Sequence, residues 1–250
     1  MAMTDIPNDD HEFSVWLAEQ IGERLLAVRA GDLEGSALKD TGDAEAQKVV
    51  ARLLSQHRGD DAVLSEEAAD DQRRLHADRV WIIDPLDGTR EYSERPRVDW
   101  AVHVALWQDG DLVAGAVAQP ALGETLSTAQ PPAVPDRDTS SPIRLAVSRS
   151  RASETVLALA ERIGAELVPM GSAGVKVAAV VRGEVDAYLH TGGQYEWDSA
   201  APVAVARAAG LHTSRADGSP LRYNQPDVYL PDLLVCRPDL TQTILDAATT

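Results

Sequence analysis

The chain has 250 residues, of which 44% are hydrophobic and only 4% aromatic, so small and branched aliphatic residues must fill a core large enough for one domain or two lobes. Its formal net charge of −17 at pH 7 argues against a nucleic-acid backbone or an acidic membrane surface as a partner. The single cysteine, Cys236, excludes an internal disulfide framework and is expected to be a buried, small apolar residue.

The first half of the chain alternates between helical and extended patterns. Apolar residues recur at helical spacing from Phe13 to Val28, after an acidic N-cap at Asp9 or Asp10. The next predictions, in chain order, are a glycine-containing loop at 31–42, a helix from about Asp43 that ends at 58–61, a strand at 62–65 and a solvated charged segment at 70–77. After them come a buried strand at 80–83, a strand at 100–107, a hairpin turn at 108–111, a returning strand at 112–119 and a further strand at 124–129. These patterns predict an antiparallel sheet with helices on one side.

Residues 131–142 contain four prolines and are the best candidate for a boundary, which divides the chain into halves 1–141 and 142–250. The second half is predicted to contain a strand at 143–147, a helix at 152–163, a glycine turn at Gly171, a helix at 175–181, a strand at 185–189, a helix from about Asp198 to Ala209, a strand at 233–236 and a closing helix. This alternation is typical of an α/β arrangement. No segment has the length of a membrane span, and the polar N-terminus does not look like a signal peptide, so we expect a cytoplasmic protein.

The stretch 80–89 gives the clearest indication of a functional site. Its buried strand ends in Asp84, and Pro85 is expected to force a turn that brings Asp87 to the same side. Two carboxylates at one strand mouth repel each other unless a cation lies between them. Gly88 lets a ligand approach the backbone closely, and Thr89 offers a hydroxyl beside the amides of a helix start, where phosphate binds readily. Seen alone, the same residues are equally well explained as a turn in which Asp87 caps a helix.

Three further acidic residues stand at the ends of predicted elements. Glu66 follows a strand, Asp198 opens an apolar helix and Asp43 begins another, although each alone is explained by a solvated turn or an N-cap. Together the acidic residues indicate a site for hard cations, magnesium or manganese rather than zinc. Two such ions about 3.5–4 Å apart can bind both the attacking and the leaving oxygen of a phosphoryl transfer.

As an ordered set, Glu66-Glu67, the run Asp-Pro-Leu-Asp-Gly-Thr at 84–89 and the run Trp-Asp-Ser-Ala at 197–200 resemble the inositol monophosphatase family of metal-dependent, lithium-sensitive phosphatases. The resemblance covers nearly the whole chain. Residues 64–67 and 171–176 look most like its 3′(2′),5′-bisphosphate nucleotidase branch, which removes the 3′-phosphate of 3′-phosphoadenosine 5′-phosphate (PAP). The family resemblance implies a layered αβαβα sandwich with an α+β N-terminal half and an α/β C-terminal half.

The resemblance also implies a role for individual residues. It places the first metal on Glu66, Asp84 and the backbone carbonyl of Leu86, and the second on Asp84, Asp87 and Asp198. Catalysis is expected from Thr89, Asp43 and Glu66, which would position the attacking water. The implied substrate-binding residues are Glu66, Asp87, Gly88, Thr89, Arg90, Ser172, Lys176 and Asp198. The usual Pro-x-Thr-x-Ala-Asp approach to the residue matched by Asp43 is shortened here to Lys39-Asp40-Thr41-Gly42-Asp43.

The implied cofactor is Mg²⁺, with two or three ions and Mn²⁺ as an alternative. The implied partner is a small nucleotide bisphosphate, which a metal-activated water attacks in line. Neither a nucleic acid nor a membrane is expected as a partner, and the protein is expected to be a monomer or a homodimer. Two alternatives remain at this stage. One is an inositol-1-phosphate or fructose-1,6-bisphosphate phosphatase of the same family, and the other is a non-catalytic phosphate-binding regulatory protein.

Other residues near the motifs have a functional and a structural interpretation. Lys176 lies just inside a helix after a glycine-rich turn, which favours a phosphate or ribose contact over an ordinary surface position. Tyr188, Tyr195 and Trp197 are candidates for stacking on an adenine, with apolar packing as the alternative. His103 lies within a strand and is expected to be a core residue with its hydrogen bonds satisfied.

Overall fold

The computed structural model describes residues 6–150 and 152–248, which form two five-stranded sheets and seven α-helices. The helices are α1 (Asp10–Arg29), α2 (Gly35–His57), α3 (Thr89–Ser93), α4 (Glu154–Ile163), α5 (Ala173–Val181), α6 (Glu196–Ala208) and α7 (Thr241–Ala248). The strands are β1 (Ala62–Ser65), β2 (Arg79–Asp87), β3 (Ala101–Gln108), β4 (Asp111–Gln119), β5 (Glu124–Ser127), β6 (Arg144–Ser148), β7 (Glu166–Met170), β8 (Ala187–Tyr195), β9 (His212–Ser214) and β10 (Tyr229–Cys236).

The first helix follows the prediction closely. The side chain of Asp9 accepts a hydrogen bond from the amide of Glu12 and so caps α1. Phe13, Leu17 and Ile21 are fully buried because they lie on one face at helical spacing. The helix and its acidic cap are therefore confirmed.

The second helix begins eight residues before the predicted start. Residues 35–42 were predicted as loop because they contain two glycines, but they form the first two turns of α2. Leu38 is fully buried there, and a Cβ at Gly42 would lie only 2.7 Å from the ring of Tyr92, so close tertiary packing overrides the low helix propensity of glycine. The loop prediction for 31–42 is wrong, and Asp43 lies inside the helix rather than at its start.

The first sheet has the order β1-β2-β3-β4-β5 and is mixed, because β1 runs parallel to β2 whereas the other neighbours are antiparallel. The predicted hairpin between β3 and β4 is confirmed, with Asp109 and Gly110 at positive φ of 52° and 96°. Helices α1 and α2 cover one face of this sheet, and α5 and α6 cover the other. The predicted antiparallel sheet is thus correct for β2 to β5 and wrong for β1. The helices of this half do lie on one side, but α5 and α6 of the second half cover the other face.

The second sheet has the order β7-β6-β8-β10-β9, of which β7 and β9 were not predicted. Its inner face shares an apolar cluster with α5, α6 and the first sheet, and its outer face packs against α4 and α7. The layers therefore run α-β-α-β-α, which confirms the layered sandwich. Residues 128–143, which include the predicted boundary, form neither helix nor strand. Apolar residues that precede this segment in the chain and apolar residues that follow it belong to the same central cluster.

The charged segment 70–77 is not simply solvated, as the sequence predicted. It contains a 3₁₀ helix at Gln72–His76, and the side chain of Arg74 within it is fully buried. A buried guanidinium needs partners for its donors, and Arg74 finds them in Asp70, Asn224 and the carbonyl of Gln225. Cys236 is buried, as expected. Within the described residues, no helix combines the length and the apolar composition needed to cross a membrane.

Candidate active site

A bulge in β2 brings two carboxylates to one face of the first sheet. Asp84 pairs with His103 on β3, but Asp87 pairs with Ala101, so three steps along β2 match two along β3. In a regular strand, residues three apart point to opposite faces, and the one extra residue restores the same face. The sequence predicts a strand that ends at residue 83 and a turn at Pro85 that brings Asp84 and Asp87 together, but β2 continues to Asp87. The structure produces the same result within a continuous strand.

The third carboxylate comes from the first turn of α6. Carboxylate oxygens of Asp84, Asp87 and Asp198 all lie within 4.8 Å of one another. Asp198 Oδ2 also accepts a hydrogen bond of 2.6 Å from the amide of Tyr195, which fixes this side chain at the helix start. Since α6 packs directly on β2, β3 and β4, residues distant in the chain are brought to one point.

Glu66 completes an acidic set of four at the end of β1. Burial of its carboxyl group among neighbouring atoms and the charge of Asp198 raise the pKa of Glu66 to about 7, although the residue keeps an exposed surface. Burial and the charges of Glu66 and Asp87 raise the pKa of Asp84 well above its usual range. Burial and the charge of Asp87 raise the pKa of Asp198 to about 6. Each carboxylate therefore makes the ionised form of the others more costly.

Asp87 differs from the rest of the set because cationic and hydrogen-bonding groups surround it. Burial alone would raise its pKa, but His103, Lys176 and Ser172 outweigh that effect and lower the pKa of Asp87 to about 2. The Ser172 hydroxyl donates to Asp87 Oδ2, and the amide of Gly174 donates to the same oxygen at 2.8 Å. The ionised form of Asp87 is thus held in place by the loop and first turn that open α5.

His103 belongs to this site, although the sequence predicted only a core position for it. It is fully buried, as expected of a core residue, but its Nε2 lies 3.2 Å from Asp87 Oδ2 and its Nδ1 3.2 Å from the carbonyl oxygen of Trp197. A Cβ at Gly174 would lie 2.0 Å from that Nε2, so only glycine lets α5 approach the imidazole this closely. The bulge sets the register that places His103 here, and no local sequence pattern signals it.

The turn after β2 presents backbone groups beside the carboxylates. The amide of Leu86 donates to Asp84 Oδ1 at 3.0 Å, and the Thr89 hydroxyl donates to the carbonyl of Leu86 at 3.2 Å. Gly88 has a φ of 83°, which side-chain-bearing residues rarely adopt, and it immediately precedes the short helix α3. Thr89 is thereby held at the start of α3, and its hydrogen bond to the Leu86 carbonyl orients its hydroxyl group.

Ten of the eleven predicted site residues line one cavity of about 740 Å³. They are Glu66, Asp84, Leu86, Asp87, Gly88, Thr89, Arg90, Ser172, Lys176 and Asp198. Lys176 is buried at this cavity, where its Nζ donates to the carbonyls of Gly171 and Ser172. The ordinary surface position considered for Lys176 is therefore wrong.

Asp43 is the predicted residue that the structure does not place in the wall of this cavity. It lies within α2 and lines a separate pocket of about 490 Å³ together with Glu67. Burial and the charge of Glu67 raise the pKa of Asp43 to about 7. The involvement of Asp43 in catalysis stays a prediction.

The acidic set fits the hard divalent cations that the sequence predicted. Among the described residues, Asp84, Asp87 and Asp198 are the group whose oxygens converge closely enough to share an ion, and all their donors are oxygen. Cationic partners reach Asp87, whereas the raised pKa values of Glu66, Asp84 and Asp198 reflect charge that is left uncompensated. Divalent cations would supply the missing compensation.

Comparison with known proteins agrees with this arrangement. The sequence model described as "Inositol monophosphatase family" matches residues 17–248. The 3′-phosphoadenosine 5′-phosphate phosphatase of Mycobacterium tuberculosis is 49% identical over 240 residues, which cover 90% of this chain and 88% of the relative. The 3′(2′),5′-bisphosphate nucleotidase CysQ of Escherichia coli is 31% identical over 232 residues, which cover 86% and 94%. The crystal structure of CysQ from Bacteroides thetaiotaomicron, a bacterial member of the inositol monophosphatase family, is similar with a TM-score of 0.77, 26% identity and coverage of 90% and 95%.

Proposed function

The chain belongs to the inositol monophosphatase family, and we propose that it is a phosphatase that removes the 3′-phosphate of PAP to give AMP. The observation that carries the proposal is the convergence of four carboxylates on a cavity that also contains Lys176 and Arg90. The 49% identity with a PAP phosphatase over 90% of the chain supports this substrate rather than an inositol or sugar phosphate.

We assign the metal-binding role to the acidic set and one carbonyl. Glu66, Asp84 and the carbonyl of Leu86 would hold one Mg²⁺, and Asp84, Asp87 and Asp198 a second, with Mn²⁺ as an alternative. When bound, such ions polarise the phosphoryl oxygens, make a water more acidic and neutralise charge on the leaving oxygen. The fit rests on the donor chemistry and on the raised pKa values of the carboxyl groups.

The chain's own polar groups would then position the reactants. The Thr89 hydroxyl donates a hydrogen bond to the Leu86 carbonyl, so the lone pairs of the hydroxyl oxygen can accept a hydrogen bond from the attacking water. Glu66 would help to position that water, and its carboxylate oxygen could accept a proton from it. Lys176 and Arg90 would offset the negative charge of a substrate with two phosphate groups.

A comparison of substrates tests this proposal. Phosphate release should be measured from PAP, fructose 1,6-bisphosphate and inositol 1-phosphate over a Mg²⁺ titration, with AMP identified by chromatography. We expect kcat/KM to be highest for PAP, release to depend on Mg²⁺, and lithium to inhibit it. A lower kcat/KM for PAP than for either other substrate would overturn the choice of substrate. Absence of Mg²⁺-dependent release from all three would instead favour a non-catalytic phosphate-binding protein.

Metal binding should also stabilise the folded protein more strongly at high pH. Glu66 and Asp198 have folded-state pKa values of about 7 and 6, above their ordinary values, so the metal-free protein loses stability as the pH rises through this range. A Mg²⁺ concentration of about 100 times the Kd at pH 8 should therefore raise Tm by roughly 5–10 °C at that pH. The same concentration should raise Tm much less at pH 5, where protons already neutralise these groups and compete with the metal. Differential scanning calorimetry with NaCl at matched ionic strength as the control checks this, and equal shifts at both pH values would contradict it.

The cytoplasmic location, the monomeric or homodimeric state and the division at residues 141 and 142 stay predictions from the sequence.

A further inference from the structure

An exposed aromatic ring stands in the wall of the cavity. Tyr195 lines the cavity, and its residue surface is 48% exposed. Aromatic residues make up only 4% of the chain, so an exposed one beside the acidic set is notable. Its ring stacks on that of Trp197, with centroids 4.9 Å apart and planes inclined by 16°. The ring of Tyr229 meets it edge-on at 6.2 Å and 79°. Three of the eleven aromatic residues thus gather around one position beside the acidic set.

Apolar packing explains two of the aromatic residues that the sequence singled out, but not Tyr195. Tyr188 belongs to the central apolar cluster, and Trp197 packs against that cluster. Tyr195 is a member of none of the three apolar clusters formed by the described residues. An aromatic ring that is ordered against a neighbour but contributes nothing to the core is typical of a binding surface.

The position of this ring is fixed relative to the acidic set. The amide of Tyr195 donates to Asp198 Oδ2 at 2.6 Å, so the residue that presents the ring is hydrogen-bonded to a proposed metal ligand. On the other side, a Cβ at Gly193 would lie 2.0 Å from the Tyr229 hydroxyl, so glycine at this position lets Tyr229 brace the stack. The ring is therefore pre-organised, which lowers the entropic cost of binding a flat ligand.

We infer that Tyr195 is a specificity-determining residue that stacks on the purine base of the nucleotide substrate, with Trp197 as its backing. This inference rests on the proposed function, since it needs a substrate that contains a base. A nucleobase presents a π face to an aromatic ring, whereas an inositol or sugar phosphate presents none. Tyr195 would thus favour nucleotides over polyol phosphates.

Binding of AMP separates this inference from the proposed activity. AMP carries the base but not the 3′-phosphate, so its Kd can be measured by titration calorimetry in Mg²⁺ buffer for wild type, Tyr195→Ala, Tyr195→Leu and Tyr195→Phe. Loss of the aromatic ring in the Ala and Leu variants should raise Kd by about tenfold, whereas the Phe variant should stay within about threefold of wild type. The Ki of inorganic phosphate, measured in parallel, should change less than twofold in all three.

In the same proteins, the ratio of kcat/KM for PAP to that for inositol 1-phosphate should fall by about tenfold in the Ala and Leu variants only. AMP affinity within twofold of wild type in Tyr195→Leu or Tyr195→Ala would overturn the inference. An equal loss for Tyr195→Phe would overturn it too, because the hydroxyl rather than the ring would then be responsible. If wild type binds AMP through Tyr195 but does not hydrolyse PAP, the proposed reaction fails while the base contact stands.

Discussion

Replacing Asp84 by asparagine is expected to lower kcat on PAP by about a thousandfold or more while the protein remains folded. Asp84 is the proposed ligand shared by both metal ions, and the residue is only 1% exposed. Phosphate monoesters hydrolyse extremely slowly without a catalyst, and a thousandfold loss corresponds to only about 4 kcal/mol of transition-state stabilisation. An amide of the same shape keeps the hydrogen bond to the Leu86 amide but cannot supply the charge that a bridging ligand needs.

The same substitution should not destabilise the metal-free protein. The pKa of Asp84 is raised by burial and by the charges of Glu66 and Asp87, so a neutral side chain relieves repulsion. We therefore expect the metal-free Tm at pH 8 to stay equal to that of wild type or to rise. Mg²⁺ should no longer raise it appreciably.

Asp186 offers a matched control for this experiment. It is also an aspartate with 1% exposure, but its neighbours are Arg137 and Arg144, and its Oδ2 accepts a hydrogen bond of 2.8 Å from the Arg144 amide. Asp186→Asn should therefore lower Tm while leaving kcat within about threefold of wild type, the opposite pattern to Asp84→Asn. Near-wild-type turnover in purified Asp84→Asn would refute the assignment of this residue to the metal site.

The local parts of the site could be predicted because they follow from short-range rules. An apolar run that ends in an acidic residue indicates a buried strand with a carboxylate at its mouth. This holds for β1 with Glu66, whereas Asp84 lies within β2, which continues to Asp87. Asp198 could be placed for a similar reason, since it precedes the apolar face of α6. Bringing these residues into one cavity required the family resemblance, because periodicity carries no information about which strand ends meet.

The parts that the sequence did not predict depend on long-range contacts. The start of α2 was missed because the packing of Gly42 against Tyr92, fifty residues later, makes a helix favourable there. His103 was not linked to Asp87 because a one-residue bulge sets the register between β2 and β3. Arg74 was taken as solvated because its partner Asn224 lies 150 residues away. In each case the deciding contact involves residues that no local pattern connects.

Arg74→Met is expected to lower the free energy of unfolding by about 2–3 kcal/mol. The guanidinium of Arg74 is completely buried and binds Asp70 at 2.7 and 3.0 Å. It also donates to Asn224 Oδ1 at 2.7 Å and to the carbonyl of Gln225 at 2.9 Å. Methionine fills much of the same volume, so the loss comes mainly from polar partners left unpaired. The side chain of Asp70 is 31% exposed, so water can hydrate it when its partner is removed. The expected loss in the free energy of unfolding is therefore smaller than for a fully buried ion pair.

The neighbouring Arg73 provides the control, because it forms the same kind of ion pair at the surface. Its side chain is 91% exposed and contacts Asp71, so Arg73→Met should leave the free energy of unfolding essentially unchanged. Urea denaturation of both variants, with the m-value compared to that of wild type, measures the difference. Equal midpoints for the two variants would show that the buried contacts of Arg74 contribute no more than a surface pair.

Hydrogen bonds connect Arg74 to the helix turn that carries Asp198. The amides of Asn224 and Gln225, the residues that Arg74 binds, donate to Glu196 at 2.6 and 2.8 Å. Glu196 is fully buried in the first turn of α6, two residues before Asp198. The 3₁₀ helix in the first half of the chain is thus connected through hydrogen bonds to the turn that carries a proposed metal ligand. We therefore expect Arg74→Met, unlike Arg73→Met, also to raise the Mg²⁺ concentration needed for half-maximal activity, because the α6 turn is then less firmly held.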